Sequence, residues 1–147
     1  MNSSLVYLTQ TDTTVGFLSS DDIKLSKIKK RDLSQKILQV VDSFATLKNK
    51  TRVPNNQKNL VRRAKETTFI YSNGLSFRVV CKDSKHHKFI KKFKCLYSTS
   101  ANLTKHNFDF DFAIANADVI LYDSCGFDEQ KSSTIYKINN KTIKKLR

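Results

Sequence analysis

Tryptophan is absent from this 147-residue chain, proline occurs once and glycine three times. Sharp reversals must therefore lean on Asn, Asp and Ser, and Asn55-Asn56, Asn73-Gly74 and Asn139-Asn140 are the candidate turns. Cysteine is scarce as well. Cys81, Cys95 and Cys125 form an odd, widely spaced set with no CxxC pair, which suits a reducing compartment. There is no long apolar run and no signal peptide, so the expectation is a cytoplasmic chain that makes no use of a membrane. No internal repeat, GxGxxG, Walker loop, HExxH or nucleophile elbow is present. His86 and His87 with Cys81 and Cys95 match no zinc spacing, and adjacent histidines on a helix point apart, so no metal site is expected.

Acidic residues are the other shortage, 13 against 27 basic ones, for a net charge of +14. Such a surface attracts nucleotides, RNA or acidic membranes. A lysine-rich proteome encoded by an AT-rich genome leaves the same surplus with no partner at all. What is abundant is apolar: 39% hydrophobic residues, ten of them phenylalanine, which argues for a folded chain and, at this length, one domain over 1–147.

Along the chain, Val6-Tyr7-Leu8 predicts a short strand that empties into the polar loop Thr9 to Thr14, ahead of Val15-Gly16-Phe17. Strand ends that open into hydroxyl-rich loops collect ligand donors, although an ordinary surface loop reads the same way. Ser19 to Asp22 supply caps for a helix through Ile28, with acids first and Lys27, Lys29, Lys30 and Arg31 at its end, as the helix dipole prefers. Lys29, Arg31 and Lys36 then bracket the entry to a buried strand, Ile37 to Val41; cations there can hold phosphates or simply be a solvated face. Asp42 to Leu47 and Asn55 to Lys65 read as helices. Thr67 to Tyr71 and Leu75 to Cys81 read as a hairpin closed by Asn73-Gly74. Arg78 sits among apolar neighbours in that second strand, either reaching solvent or gripping an anion. Ser84 caps a basic amphipathic helix to about Lys94, with Lys85, Lys88 and Lys92 on one side and His86, Phe89, Ile90 and Phe93 on the other. Phe108 to Ala117 suits a helix and Val119 to Tyr122 a buried strand. Asp123 to Lys131 reads as a loop, and strands follow from Ser132 to Ile138 and from Thr142 to Leu146.

Between the basic helix and the phenylalanine-rich segment lies Leu96-Tyr97-Ser98-Thr99-Ser100-Ala101-Asn102-Leu103-Thr104. So dense a run of hydroxyls and an amide is poor strand or helix material. It suits either a turn or a set of donors for phosphate and carboxylate groups.

These stretches together resemble the YrdC-type family of threonylcarbamoyl-adenylate synthases. Gln10-Thr11-Asp12-Thr13-Thr14-Val15-Gly16 is similar to the family's proline-threonine-acid-threonine opening, and Lys29-Lys30-Arg31 followed by Lys36 to its lysine-x-arginine signature. Arg78-Val79, Ser98-Thr99-Ser100-Ala101-Asn102 and Ser133-Thr134-Ile135 follow in the family's order. Gln10, Val15, Asp32 and Ile37 replace residues of the family pattern, and the chain is shorter than typical members between Thr46 and Thr68. The resemblance implies an α/β (α+β) fold, a single twisted mixed β-sheet with flanking helices. It also implies a nucleotidyltransferase that condenses L-threonine, bicarbonate and ATP into threonylcarbamoyl-AMP and pyrophosphate, for the threonylcarbamoyladenosine modification of tRNA with partner proteins of that pathway. Under it, Lys29, Arg31, Lys36, Ser100, Asn102 and Ser133 bind ATP, with Mg2+ carried by the phosphates. Thr11, Thr13, Arg78 and Ser98 bind threonine and its carbamate, and no residue acts as an acid-base catalyst. The alternative is a non-catalytic YrdC-like module that binds RNA or a nucleotide through its basic surface.

Overall fold

A computed structural model describes every residue except Lys105, Asp123 and Glu129. The chain is α/β, with nine strands of a mixed β-sheet and five α-helices among the described residues. It divides into two compact units, each built from two stretches of sequence: 1–37 with 96–132, and 38–95 with 133–147.

In the first unit, β1 (Tyr7–Gln10) and β2 (Val15–Ser19) form an antiparallel hairpin. On one side β2 pairs antiparallel with β6 (Cys95–Ser100), and on the other β1 pairs parallel with β7 (Val119–Leu121). Helices α1 (Asp22–Ile28) and α5 (Phe110–Ala115) belong to this unit; each is capped by an aspartate, Asp21 or Asp109, whose carboxylate accepts the amide N–H three residues on. The core gathers Val6, Leu8, Val15, Phe17, Leu25, Ile37, Ala101 and Ala113. Leu25 comes from α1 and Ala113 from α5, so both helices bury an apolar face here.

The second unit runs β3-β5-β4-β8-β9. β3 (Leu38–Val41) lies parallel to β5 (Ser76–Val79), which forms the expected hairpin with β4 (Thr67–Ile70); Gly74, at φ 76, supplies its left-handed residue. β8 (Thr134–Ile138) is parallel to β4, and β9 (Ile143–Lys145) closes the edge. Helices α2 (Phe44–Lys50), α3 (Lys58–Arg63) and α4 (Lys85–Ile90) complete the unit around a core of Val41, Leu47, Val53, Val61, Phe69, Tyr71, Phe77 and Ile138.

Four sequence expectations are corrected. The polar run from Leu96 is strand as far as Ser100, because the β2 backbone offers it a ladder that outweighs side-chain preference. β1 likewise continues through Thr9 and Gln10, which pair with Gly16 and Val15. The basic helix ends at Ile90 and not near Lys94; its last turn tightens into 91–93, and Lys94 leaves it at φ 68. β7 is half-buried rather than buried, as an edge strand is, and Tyr122 beyond it is 63% exposed. The expected loop from Asp123 to Lys131 includes two residues that lie outside the described ones.

Candidate functional site

The site grows from one rung of the first unit. Gly16 on β2 sits opposite Thr9 of β1 and Ser100 of β6. A β-carbon at Gly16 would stand 3.0 Å from the Thr11 methyl and 3.0 Å from the Thr99 carbonyl oxygen, with Ser98 Oγ at 3.9 Å. The missing side chain is thus what lets the Thr11 loop close down on the end of β6.

That loop is held by one hydroxyl. Thr11 Oγ1 donates to the Thr14 carbonyl at 2.6 Å and accepts the amides of Thr13 and Thr14, both at 3.2 Å, while its own amide also reaches the Thr14 carbonyl. Thr13 Oγ1 is 3.3 Å from Thr11 Oγ1, and both residues are buried. Thr11 is therefore first an organiser of backbone, because its hydroxyl is fully used by the turn.

Across the rung, the buried Lys29 reaches the same strand end. Its amine donates to the Ser100 carbonyl at 3.0 Å, Ser100 Oγ at 3.2 Å and Asn102 Oδ1 at 2.8 Å, and also to the Asn102 carbonyl. Ser100 Oγ donates to Asn102 Oδ1 at 2.5 Å, the Asn102 amide nitrogen donates to the His106 carbonyl, and Thr104 Oγ1 returns a bond to the Lys29 carbonyl at 2.9 Å. An ammonium has three protons, so these four acceptors share them. Burial, with a smaller contribution from the Arg31 charge, pulls the Lys29 amine down to about 8. The cation is present at neutral pH and pins the residues from Ser100 to Asn102 into a defined exit from β6.

The end of α1 explains how Lys29 and Arg31 are presented. The Lys30 N–H bonds to the Lys27 carbonyl and the Arg31 N–H to the Ser26 carbonyl, the Schellman closure of a helix, with Lys30 in the left-handed region at φ 48. A side chain pays a conformational penalty where glycine would not. Lys30→Gly is expected to raise stability by roughly 0.5–1 kcal/mol, read as a higher urea midpoint with unchanged slope. An unchanged or lower midpoint would show that the Lys30 side chain offsets its backbone strain.

Of the other expected site residues, Ser98 is buried in β6, Arg31 is half-buried, and Lys36 is exposed after the turn that Asp32 caps through Ser34 N–H at 2.8 Å. Arg78 and Ser133 belong to the second unit and both are buried. Ser133 Oγ lies 3.1 Å from Thr68 Oγ1, and Arg147 donates to the Ser133 carbonyl at 3.0 Å and to its hydroxyl at 3.4 Å. The first unit thus unites Lys29, Ser100 and Asn102 by hydrogen bonds and Thr11 and Ser98 about Gly16, with Thr13 against the Thr11 hydroxyl. Sequence reading missed the spacer role of Gly16 and the tie from Thr104; the close approach across β2 has no local signature. Beyond Asn102 the chain opens on a cavity of about 580 Å³ lined by Leu103, His106, Asn107, Phe108, Asp109 and Phe112, large enough for a nucleoside. Among the described residues no three His, Cys, Asp or Glu side chains gather in a way that could hold a metal.

The architecture is the YrdC-like fold. The chain is similar to E. coli YciO, with a TM-score of 0.76 and 14% identity over 98% of this chain and 82% of that one. It is similar also to P. abyssi Sua5, determined in complex with L-threonine (TM-score 0.77, 12% identity), of which it spans half the length while matching over 98% of its own. A third likeness is to the MTH1692 protein of Methanobacterium thermoautotrophicum, with a TM-score of 0.70, 17% identity, and coverage of 98% and 80%. At these identities the likeness is one of fold. No family model and no curated protein matches the sequence. No helix among the described residues is long and apolar enough to cross a membrane.

Proposed function

We propose that this chain is an L-threonylcarbamoyladenylate synthase, a nucleotidyltransferase serving the threonylcarbamoyladenosine modification of tRNA. The observation that carries the reading is the buried Lys29 ammonium bound to Ser100 and Asn102 at the end of β6, beside the Thr11 loop over Gly16. The YrdC-like fold supports it, since one neighbour of that fold was determined with L-threonine bound.

The chemistry asks little of an acid-base pair. The threonine nitrogen combines with bicarbonate to give a carbamate and water; a carbamate oxygen then attacks the α-phosphorus of ATP, and the bond to the β-phosphate oxygen breaks to release pyrophosphate. Charge builds on phosphate oxygens, so fixed cations and oriented donors are what lower the barrier. Arg31 is the half-buried cation whose charge acts on Lys29, and it takes phosphate, with Lys36 as a second, exposed cation. Lys29 holds the Ser100–Asn102 segment in shape and adds charge behind it. Ser98, Thr11 and Thr13 face the threonine side, and the aromatic cavity after Asn102 takes the nucleoside. A magnesium ion accompanies ATP, carried on its phosphates.

The test is release of pyrophosphate from ATP by the purified chain, which must require both L-threonine and bicarbonate. Turnover that ignores either co-substrate, or no turnover at all, removes the assignment. In the same assay Arg31→Ala is expected to weaken ATP binding by roughly 1–3 kcal/mol, the range for a charge-assisted hydrogen bond. An unchanged ATP titration takes Arg31 out of the site.

A further inference from the structure

The charge of +14 is divided unequally. The second unit holds 19 of the 27 basic residues and only three acidic ones, Asp42, Glu66 and Asp83, for a net +16; the first unit holds eight basic and ten acidic residues, for a net −2. Within the first unit the acids are themselves gathered. Six of the ten fall from His106 to Gln130, a stretch of 25 residues with no lysine or arginine. The same stretch presents aromatic rings to solvent. Phe110, at the start of α5, is 45% exposed and Tyr122, just past β7, is 63% exposed; Phe127 joins them, its ring centre 6.3 Å from that of Phe110 and stacked on Tyr122 at 5.2 Å. Asp111 and Asp128, the sequence neighbours of Phe110 and Phe127, are exposed and have no ion-pair partner among the described residues.

β7 runs straight into Tyr122. Among the described strands it pairs with β1 alone, so its outer edge is open. Native proteins guard open edges with lysine or proline, yet Val119-Ile120-Leu121 places no charge there. A second open edge belongs to β9, which pairs only with β8 and is exposed throughout. It is strongly basic, with Lys141, Lys144, Lys145 and Arg147 in or beside it. The two edges therefore carry opposite charge. Pairing β7 with β7 of another copy brings aspartates together, and pairing β9 with β9 brings lysines together, so both set like charges across the seam. Pairing β7 with β9 joins opposite charges, gives each open backbone edge its missing partners, and lays lysine stems and ammonium groups against the exposed rings.

We infer that this chain associates with itself head to tail, the β7 edge and the patch of Phe110, Tyr122 and Phe127 on one copy taking the β9 strand of the next. The contact is heterologous, so a copy blocked at one edge still offers the other. Three-residue strands make a small interface, which sets the expected dissociation constant at roughly 10–100 μM.

The experiment is sedimentation velocity on the full chain from about 5 to 300 μM, over which the weight-average mass is expected to rise from that of a single chain toward about twice that value. Asp111→Lys with Asp128→Lys reverses the acidic surface, and Lys144→Glu with Lys145→Glu reverses the basic one. Each double variant alone is expected to lose roughly tenfold or more in affinity and to stay near the mass of a single chain. An equimolar mixture of the two is expected to regain association, because each altered surface then meets a complementary one. A parent that remains a single chain at about 300 μM, a reversal variant that associates like the parent, as it does if like edges pair, or a mixture that stays apart would overturn the inference. All four substituted side chains are exposed, so matched melting curves separate association from folding. The samples contain no ATP, threonine or bicarbonate, and the result stands whatever the synthase assay gives.

Discussion

Replacing Lys29 with methionine is expected to lower the stability of the chain by about 2–3 kcal/mol, seen as a fall in melting temperature of roughly 5–10 °C. Methionine keeps much of the buried volume but donates nothing. The Ser100 and Asn102 carbonyls, Asn102 Oδ1 and Ser100 Oγ then lose their shared donor where solvent reaches them poorly. Leaving such acceptors unsatisfied costs more than the net worth of the bonds themselves. ATP-dependent pyrophosphate release should fall with it, since the strand exit loses both shape and charge. Lysine's pH behaviour gives an independent check. The folded-state amine titrates at about 8, below its ordinary 10.5, because burial disfavours the cation. Between those values the unfolded chain binds the proton that the folded chain does not, so stability from this residue rises as pH climbs through that window. Affinity for ATP should move the opposite way, falling as the amine loses its charge. Lys29→Met should lack both slopes; if parent and variant show the same pH dependence from 8 to 10.5, Lys29 is not the titrating group.

Gly16→Ala is expected to cost about 1–3 kcal/mol of stability and to reduce threonine-dependent turnover by more than tenfold. The added methyl meets the Thr11 methyl and the Thr99 carbonyl at 3.0 Å each. The carbonyl cannot yield without breaking the register in which Gly16 faces Ser100, so the Thr11 loop must lift. Lifting it separates Thr11 and Thr13 from Ser98, and the threonine Michaelis constant should rise more than that for ATP. Gly126→Ala is the control. It has nothing within 4 Å and only the strain of φ +71 to bear, so it should cost about 1 kcal/mol and leave the threonine dependence alone. Equal kinetic effects from the two substitutions would mean that Gly16 matters only for stability.

Much of the architecture was legible in the linear pattern. The caps at Asp21 and Ser84, the Asn73-Gly74 reversal and the apolar strands each act through neighbours within a few residues, and all were found in place. The order of the Thr11, Lys29, Arg78 and Ser98 stretches pointed to the fold now seen. Local rules failed where a distant backbone intervened. Ser98, Thr99 and Ser100 look like turn material, yet β2 offers them a ladder, and a strand is the outcome. Thr11 and Lys29, read as ligand contacts, turn out to bind the protein's own backbone first.

Composition and spacing thus settled which residue types the chain carries, their basic excess and the helices, strands and turns that short-range hydrogen bonds can specify. Pairing across 71 to 73 positions, from Lys29 to Ser100 and Asn102, decided the rest. So did the partition that leaves +16 on one unit and −2 on the other. Neither could be read beforehand, because a buried amine chooses its acceptors, and a unit collects its charges, only when chain segments far apart in sequence pack against one another.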